Sequence, residues 1–232
     1  MFDYKEFGLK KDYLYEVITT TSSNTEENKE IHPHASCMGI KLIEDEQIQI
    51  SPFYGSTTYK NLKESSIVTI NFVDNIYLYA LAALKEPNSP IGLTTFPSKY
   101  YSFKYLESLT MDVPFIPKSW GILVGKVSHE FQKTKKDDLG EVMIPVFKLD
   151  VIFTERFRES NKLINRAENL ALEALILTTR LKVAKQNQNE TQFMIIYDKI
   201  GEYVQTVKKF GKNKKAFKVF ELIHDYMSTL KD

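Results

Sequence analysis

One cysteine, Cys37, stands in a chain of 232 residues, so no disulfide can form within it and a scaffold held by disulfide staples is excluded. Long apolar runs are missing as well. Residues 76–84 and 170–177 are the longest, far short of the ~20 that cross a bilayer as a helix. The N-terminal stretch mixes charges among aromatics and offers no signal-peptide core. These absences predict a cytoplasmic protein in a reducing compartment, with no membrane partner. The familiar catalytic signatures are also wanting: there is no Gly-x-Gly-x-x-Gly, no Walker loop, no Cys-x-x-Cys and no Gly-x-Ser-x-Gly elbow. Arginine is absent from residues 1–155; the four present are Arg156, Arg158, Arg166 and Arg180.

What is present suffices for a core. A hydrophobic content of 43%, with 12% aromatic residues, supplies the apolar surface that disordered chains lack. The net charge of +1 conceals an asymmetry: residues 156–232 carry 15 Lys and Arg against 9 Asp and Glu, leaving 16 against 21 before them. That change divides the chain into parts at 1–155 and 156–232. The first reads as strands over 12–21, 38–43, 47–51, 66–73, 120–131 and 146–153, with an acidic turn at 44–46. Ile48 and Ile50 alternate with glutamines, as on a strand with one wet face. Short helices are expected over 57–65, capped by Ser56, and over 76–85, stopped by Pro87; residues 87–105 read as a long irregular loop. The second part reads as three amphipathic helices, built on Leu163 to Leu181, Phe193 to Val207 after a Thr191 cap, and Ala216 to Leu230 after an Asn213 cap, with Gly211 as a stop. Many short strands favour a closed antiparallel barrel, giving an α+β protein.

Candidate chemistry concentrates in Tyr54-Gly55-Ser56-Thr57-Thr58-Tyr59-Lys60-Asn61-Leu62, which leaves a strand and enters a helix. Gly55 permits a sharp turn. Three hydroxyls then sit beside the unsatisfied amides of a helix N-terminus, whose dipole favours an anion, and Lys60 and Asn61 add a charge and a donor. On composition alone, an ordinary Ser/Thr cap on a surface helix is the favoured reading of the same residues. Other features have blander readings. His32 and His34 flank Pro33 without a carboxylate cluster, so no metal site is expected, and Cys37 reads as a buried, inert thiol. The heptad spacing of Arg166, Glu173 and Arg180 in a helix apolar nearly all round predicts a buried Glu173 paired with an arginine, as a structural network or at a ligand's edge. Lys208, Lys209, Lys212, Lys214, Lys215 and Lys218 could meet nucleic acid, but read better as a solvated turn between helices.

Tyr15 to Thr20, Met38-Gly39-Ile40, the 54–62 run, Asn71 within 68–73, Asn165-Arg166-Ala167, Glu173 and Thr179-Arg180-Leu181 together resemble a largely archaeal, DUF447-like family with the FMN-binding split-barrel fold related to flavin reductases. The resemblance implies an antiparallel split β-barrel over 1–155, a helical domain over 156–232 packed on the barrel or on a partner, and a homodimer holding FMN between subunits. It places Ser56, Thr57, Thr58, Tyr59, Lys60 and Asn61 on the phosphate-binding segment, Met38 and Gly39 on the strand beside the flavin, and Asn71 among the cofactor-binding residues. Cys37 replaces a usual proline and Thr57 an often basic residue, which implies weaker FMN affinity than is typical. The activity implied is flavin-dependent oxidoreduction with a small-molecule electron donor such as a reduced nicotinamide; a non-catalytic flavin module and, more weakly, a nucleic-acid-binding protein are the alternatives. No catalytic side chain is named by the resemblance, since a flavin carries hydride or electrons itself.

Overall fold

The computed structural model describes the chain apart from residues 1, 2, 10, 12, 13, 25–30, 45, 46, 138, 139, 160–165, 209–212, 231 and 232. The chain forms two compact units, one of 1–74, 97–135 and 141–160, the other of 75–96, 136–140 and 161–232.

The first unit is built on strands β1 (Leu14–Asn24), β2 (Ile31–Glu44), β3 (Gln47–Ile50), β4 (Ile67–Phe72), β7 (Gly121–Asp137) and β8 (Gly140–Arg156), closed in the order β1-β2-β3-β8-β7-β4. Closure removes the exposed edges that an open antiparallel sheet leaves unpaired. Strand alternation decides what points inward. Val17 lies opposite Met38, Ile40 opposite Ile50, Ile50 opposite Phe147, Ile48 opposite Leu149 and Ile70 opposite Leu123, and all are buried in one core. Gly125 completes this layer opposite Val68. A Cβ there would stand 3.0 Å from Leu149 Cβ, so a side chain at that point would press on Leu149.

The stretch expected to be an irregular loop is irregular over 87–97 and regular only at its end. It holds a single 3-10 turn at Ser98–Tyr100 and then β5 (Ser102–Leu106), which pairs with β6 (Met111–Phe115) in a separate hairpin. Leu106 and Val113 of this hairpin bury against Ile67 and Val124 on the outer side of the barrel. Phe103 and Tyr105 alternate with Ser102 and Lys104 yet face solvent, so the period-two pattern marks the wrong side of the strand as buried.

Between β3 and β4 lies α1 (Thr57–Ser65), with the expected bounds and the expected Ser56 cap. Nine residues are too few for a helix that stands alone. Its buried residues are Thr58, Asn61 and Leu62, and Leu62 with half-buried Tyr59 supplies its apolar anchor.

The second unit gathers α2 (Ile76–Ala83), α3 (Arg166–Gln186), α4 (Glu190–Lys208) and α5 (Lys214–Ser228). Asn75 caps α2 and Asn213 caps α5, the latter accepting from the amides of Lys215 and Ala216. The predicted Thr191 cap is displaced: α4 begins at Glu190, and Asn189 Oδ1 accepts from the Gln192 amide. Leu163 and Gly211 lie outside the described residues. The buried stripe of α3 is Ala167, Ala171, Ala174, Leu175, Thr178, Leu181 and Ala184. Glu173 lies off this stripe, ~200° around the helix from Ala171, and is exposed. The expected buried ion network is therefore absent: among the described residues Glu173 has no ion pair. Small side chains, rather than a buried charge, set the character of this helix.

Candidate functional site

Gly55 takes the left-handed conformation, φ +76°, and turns the chain from β3 toward α1. Ser56 then spends both roles of its hydroxyl: it donates to the Phe53 carbonyl at 2.7 Å and accepts from the Tyr59 amide at 3.2 Å. Lys60 donates its amide to the Ser56 carbonyl. The amides of Thr57 and Thr58 have no such partner among the described residues, as expected of the first positions of a helix. No acidic side chain occupies the first turn, which leaves the positive end of the helix dipole uncompensated. Thr57 and Lys60 are exposed at this end. The cap reading is realised in Ser56, and the next two amides remain without a protein partner among the described residues.

Thr58 and Asn61 have another task. Both are buried, and their polar groups point into the barrel's end. Thr58 Oγ1 lies 2.7 Å from Ser36 Oγ on β2, which lies 3.1 Å from Thr19 Oγ1 on β1. Asn61 Nδ2 donates to Thr21 Oγ1 at 3.0 Å. Tyr59 is half-buried, its ring 5.9 Å from that of Phe147 and edge-on to Tyr54 at 5.2 Å. At the far end of α1, Lys63 pairs with Glu130 at 2.6 Å, and this hydrogen bond raises the lysine pKa above its ordinary value. The exposed rings of Phe53 and Tyr54 border the α1 entrance.

The strand residues divide in the same way. Met38 points into the barrel core opposite Val17, whereas Gly39, opposite Glu16, gives the outer side of β2 a position without a side chain. Cys37, expected to be buried, is only partly so. Asn71 is fully buried and wholly engaged by protein atoms. Its Nδ2 donates toward the Ile18 carbonyl at 3.0 Å, Thr20 Oγ1 at 3.1 Å and the Thr69 carbonyl at 3.2 Å, while its Oδ1 accepts from the Ile116 amide at 2.7 Å. Thr20 in turn donates to the Pro114 carbonyl at 2.6 Å. Asn71 therefore joins β4 to β1 and to the segment after β6.

Sequence reasoning missed Ser36, Thr19 and Thr21. The available signal was the hydroxyl run Thr19-Thr20-Thr21-Ser22, every member of which is buried. Of the lysine run, Lys208, Lys214, Lys215 and Lys218 are exposed, while Lys209 and Lys212 fall outside the described residues, as does Asn165. Lys218 Nζ rests 4.8 Å from the Tyr77 ring centroid. Among the described residues, no three His, Cys, Asp or Glu side chains gather as metal ligands, and no helix is long and apolar enough to cross a membrane.

A closed six-stranded antiparallel barrel, with a short helix entering at one end and a three-helix C-terminal segment, is the split-barrel, flavin-reductase-like architecture. Residues 15–111 match the family described as the N-terminal domain of a protein of unknown function, DUF447. An uncharacterised protein of Methanocaldococcus jannaschii, MJ1453, is 25% identical over 200 residues, covering 85% of this chain and 90% of its own. Among solved structures, the FMN-bound protein MM1853 of Methanosarcina mazei superposes with a TM-score of 0.71 at 18% identity, over 97% of this chain and 100% of that one. At that identity the likeness establishes the fold. The styrene monooxygenase flavin reductase of Pseudomonas putida S12 aligns over 62% of this chain and 82% of its own, with 13% identity and a TM-score of 0.43.

Proposed function

We propose that this protein binds FMN as a homodimer and acts as a flavin-dependent oxidoreductase. The observation that carries the reading is the open N-terminus of α1: two unpaired amides, no acid in the first turn, and exposed Thr57 and Lys60, on the fold of a protein whose structure holds FMN. A phosphate monoester suits this donor set, because the amides supply aligned dipoles and Lys60 supplies charge without a desolvation cost. The Thr57 and Thr58 amides, the Thr57 hydroxyl and Lys60 hold the phosphate. Ser56, Thr58 and Asn61 fix the helix that presents them. The Gly39 side of β2 offers a planar ring a strand position without a side chain, with Met38 anchoring that strand from within. When bound, the flavin would supply the capacity to accept and release hydride or single electrons. The chain's own part is to bind it, orient it and shield one side of it.

Half-buried Leu172 and Ile176, with Val183 38% exposed, form an apolar row on the side of α3 away from its alanines, which supports a second copy as partner. Purified protein should be yellow or should gain thermal stability with added FMN, and should elute at twice the chain mass by light scattering. Absence of both flavin effects would defeat the proposal. Stopped-flow reduction by a reduced nicotinamide then separates an enzyme from a non-catalytic flavin module, since a module would hold FMN without accepting hydride at a useful rate.

A further inference from the structure

The barrel's end beneath α1 is closed by hydroxyls where the rest of its interior is apolar. Thr19, Ser36 and Thr58 come from three different elements, β1, β2 and α1, and form one chain of contacts at 3.1 and 2.7 Å. Thr19 Oγ1 also stands 3.2 Å from the Ser36 carbonyl. One orientation of the three protons gives each an acceptor among these atoms: Thr58 donates to Ser36 Oγ, Ser36 to Thr19 Oγ1, and Thr19 to the Ser36 carbonyl. Ser36 is the middle member, and its loss would leave Thr58 buried without a partner. Asn61, one turn along the same face, makes the parallel attachment to Thr21.

Accepting the phosphate role of α1, we infer that Ser36 is a positioning residue for anion recognition: it fixes the first turn of α1, and so the aim of the Thr57 and Thr58 amides, without touching the ligand. The physical basis is pre-organisation. α1 is too short to persist alone; with the Ser56 cap internal to the segment, Thr58 ties its N-terminal turn to β2 by a hydrogen bond, beside the packing of Tyr59 and Leu62 on the core. Apparent affinity falls by the fraction of time that the amides point away from the ligand. That penalty applies to a ligand with a phosphate and leaves one without it nearly untouched.

The experiment compares the full chain with Ser36→Ala and Ser36→Thr, titrating each with FMN and with riboflavin by flavin fluorescence. Ser36→Ala should weaken FMN by about tenfold, the equivalent of one lost hydrogen bond, with little change for riboflavin. Ser36→Thr keeps the hydroxyl and should restore the FMN preference. A second readout needs no flavin: in the unliganded protein, the Lys60 amide, bonded to the Ser56 carbonyl at 3.1 Å, should exchange with deuterium faster in Ser36→Ala. Equal losses for FMN and riboflavin would overturn the inference and leave Ser36 a fold residue. Unchanged FMN affinity together with unchanged exchange would overturn it as well. Failure of the unaltered protein to bind FMN would instead overturn the flavin reading, with the exchange rates still deciding whether Ser36 holds the helix.

Discussion

At the residue scale, Thr57 and Asn71 separate recognition from support. Thr57 is exposed at the positive end of α1, so Thr57→Lys should act with opposite signs on two measurements. Without ligand, the added cation opposes the helix dipole and lowers stability by ~0.3–1 kcal/mol. With FMN present, it should tighten binding about two- to fivefold, with riboflavin unaffected and the gain fading as salt rises. Asn71 is the contrasting case, because its amide is spent on Ile18, Thr20, Thr69 and Ile116. Asn71→Ala leaves the Ile116 amide without its acceptor and should cost about 1–3 kcal/mol in urea unfolding. It should not alter the ratio of FMN to riboflavin affinity. Asn71, which the resemblance placed among the cofactor-binding residues, has its amide engaged within the fold.

At the scale of elements, α1 was legible because its signals are local: Gly55, the Ser56 cap and the polar-to-helical transition lie within ten residues. Its anchors were not, since Ser36 and Thr21 are 22 and 40 residues distant from Thr58 and Asn61, and no periodicity reports such a pairing. The β5–β6 hairpin escaped for a different reason, its exposed Phe103 and Tyr105 masking which side is buried. In α3, composition misled: leucines surround Glu173, yet the packed stripe is of alanines, and the carboxylate turns to solvent. Among the described residues, half-buried Arg180 has no buried carboxylate to pair with there, so Arg180→Ala should cost less than about 1 kcal/mol in thermal or urea unfolding, the range of a surface ion pair. Gly125→Ala, a far smaller change in chemistry, should cost more, about 1–3 kcal/mol, because its new methyl meets Leu149 in a filled interior.

At the scale of the whole molecule, the pairing order of the barrel has a kinetic consequence. β3 waits for β8, and Gln47 bonds Asp150 across a separation of 103 residues. During synthesis at ~5–20 residues per second, the edge of β3 stands without its partner for roughly 5–20 s after it emerges. The C-terminal helices, by contrast, pack chiefly on one another, with α2 already synthesised, and can form as soon as they appear. The single tryptophan, Trp120, lies against Phe7 and Phe72 at ring separations of 5.7 and 5.0 Å, which makes it a natural reporter of the barrel. In refolding from urea, helical circular dichroism should recover before Trp120 fluorescence. Simultaneous recovery would mean that the two units fold as one. If the order holds, the vulnerable species in a growing cell is a half-barrel with two sticky rims, and the rate at which β8 leaves the ribosome decides how long it must be chaperoned.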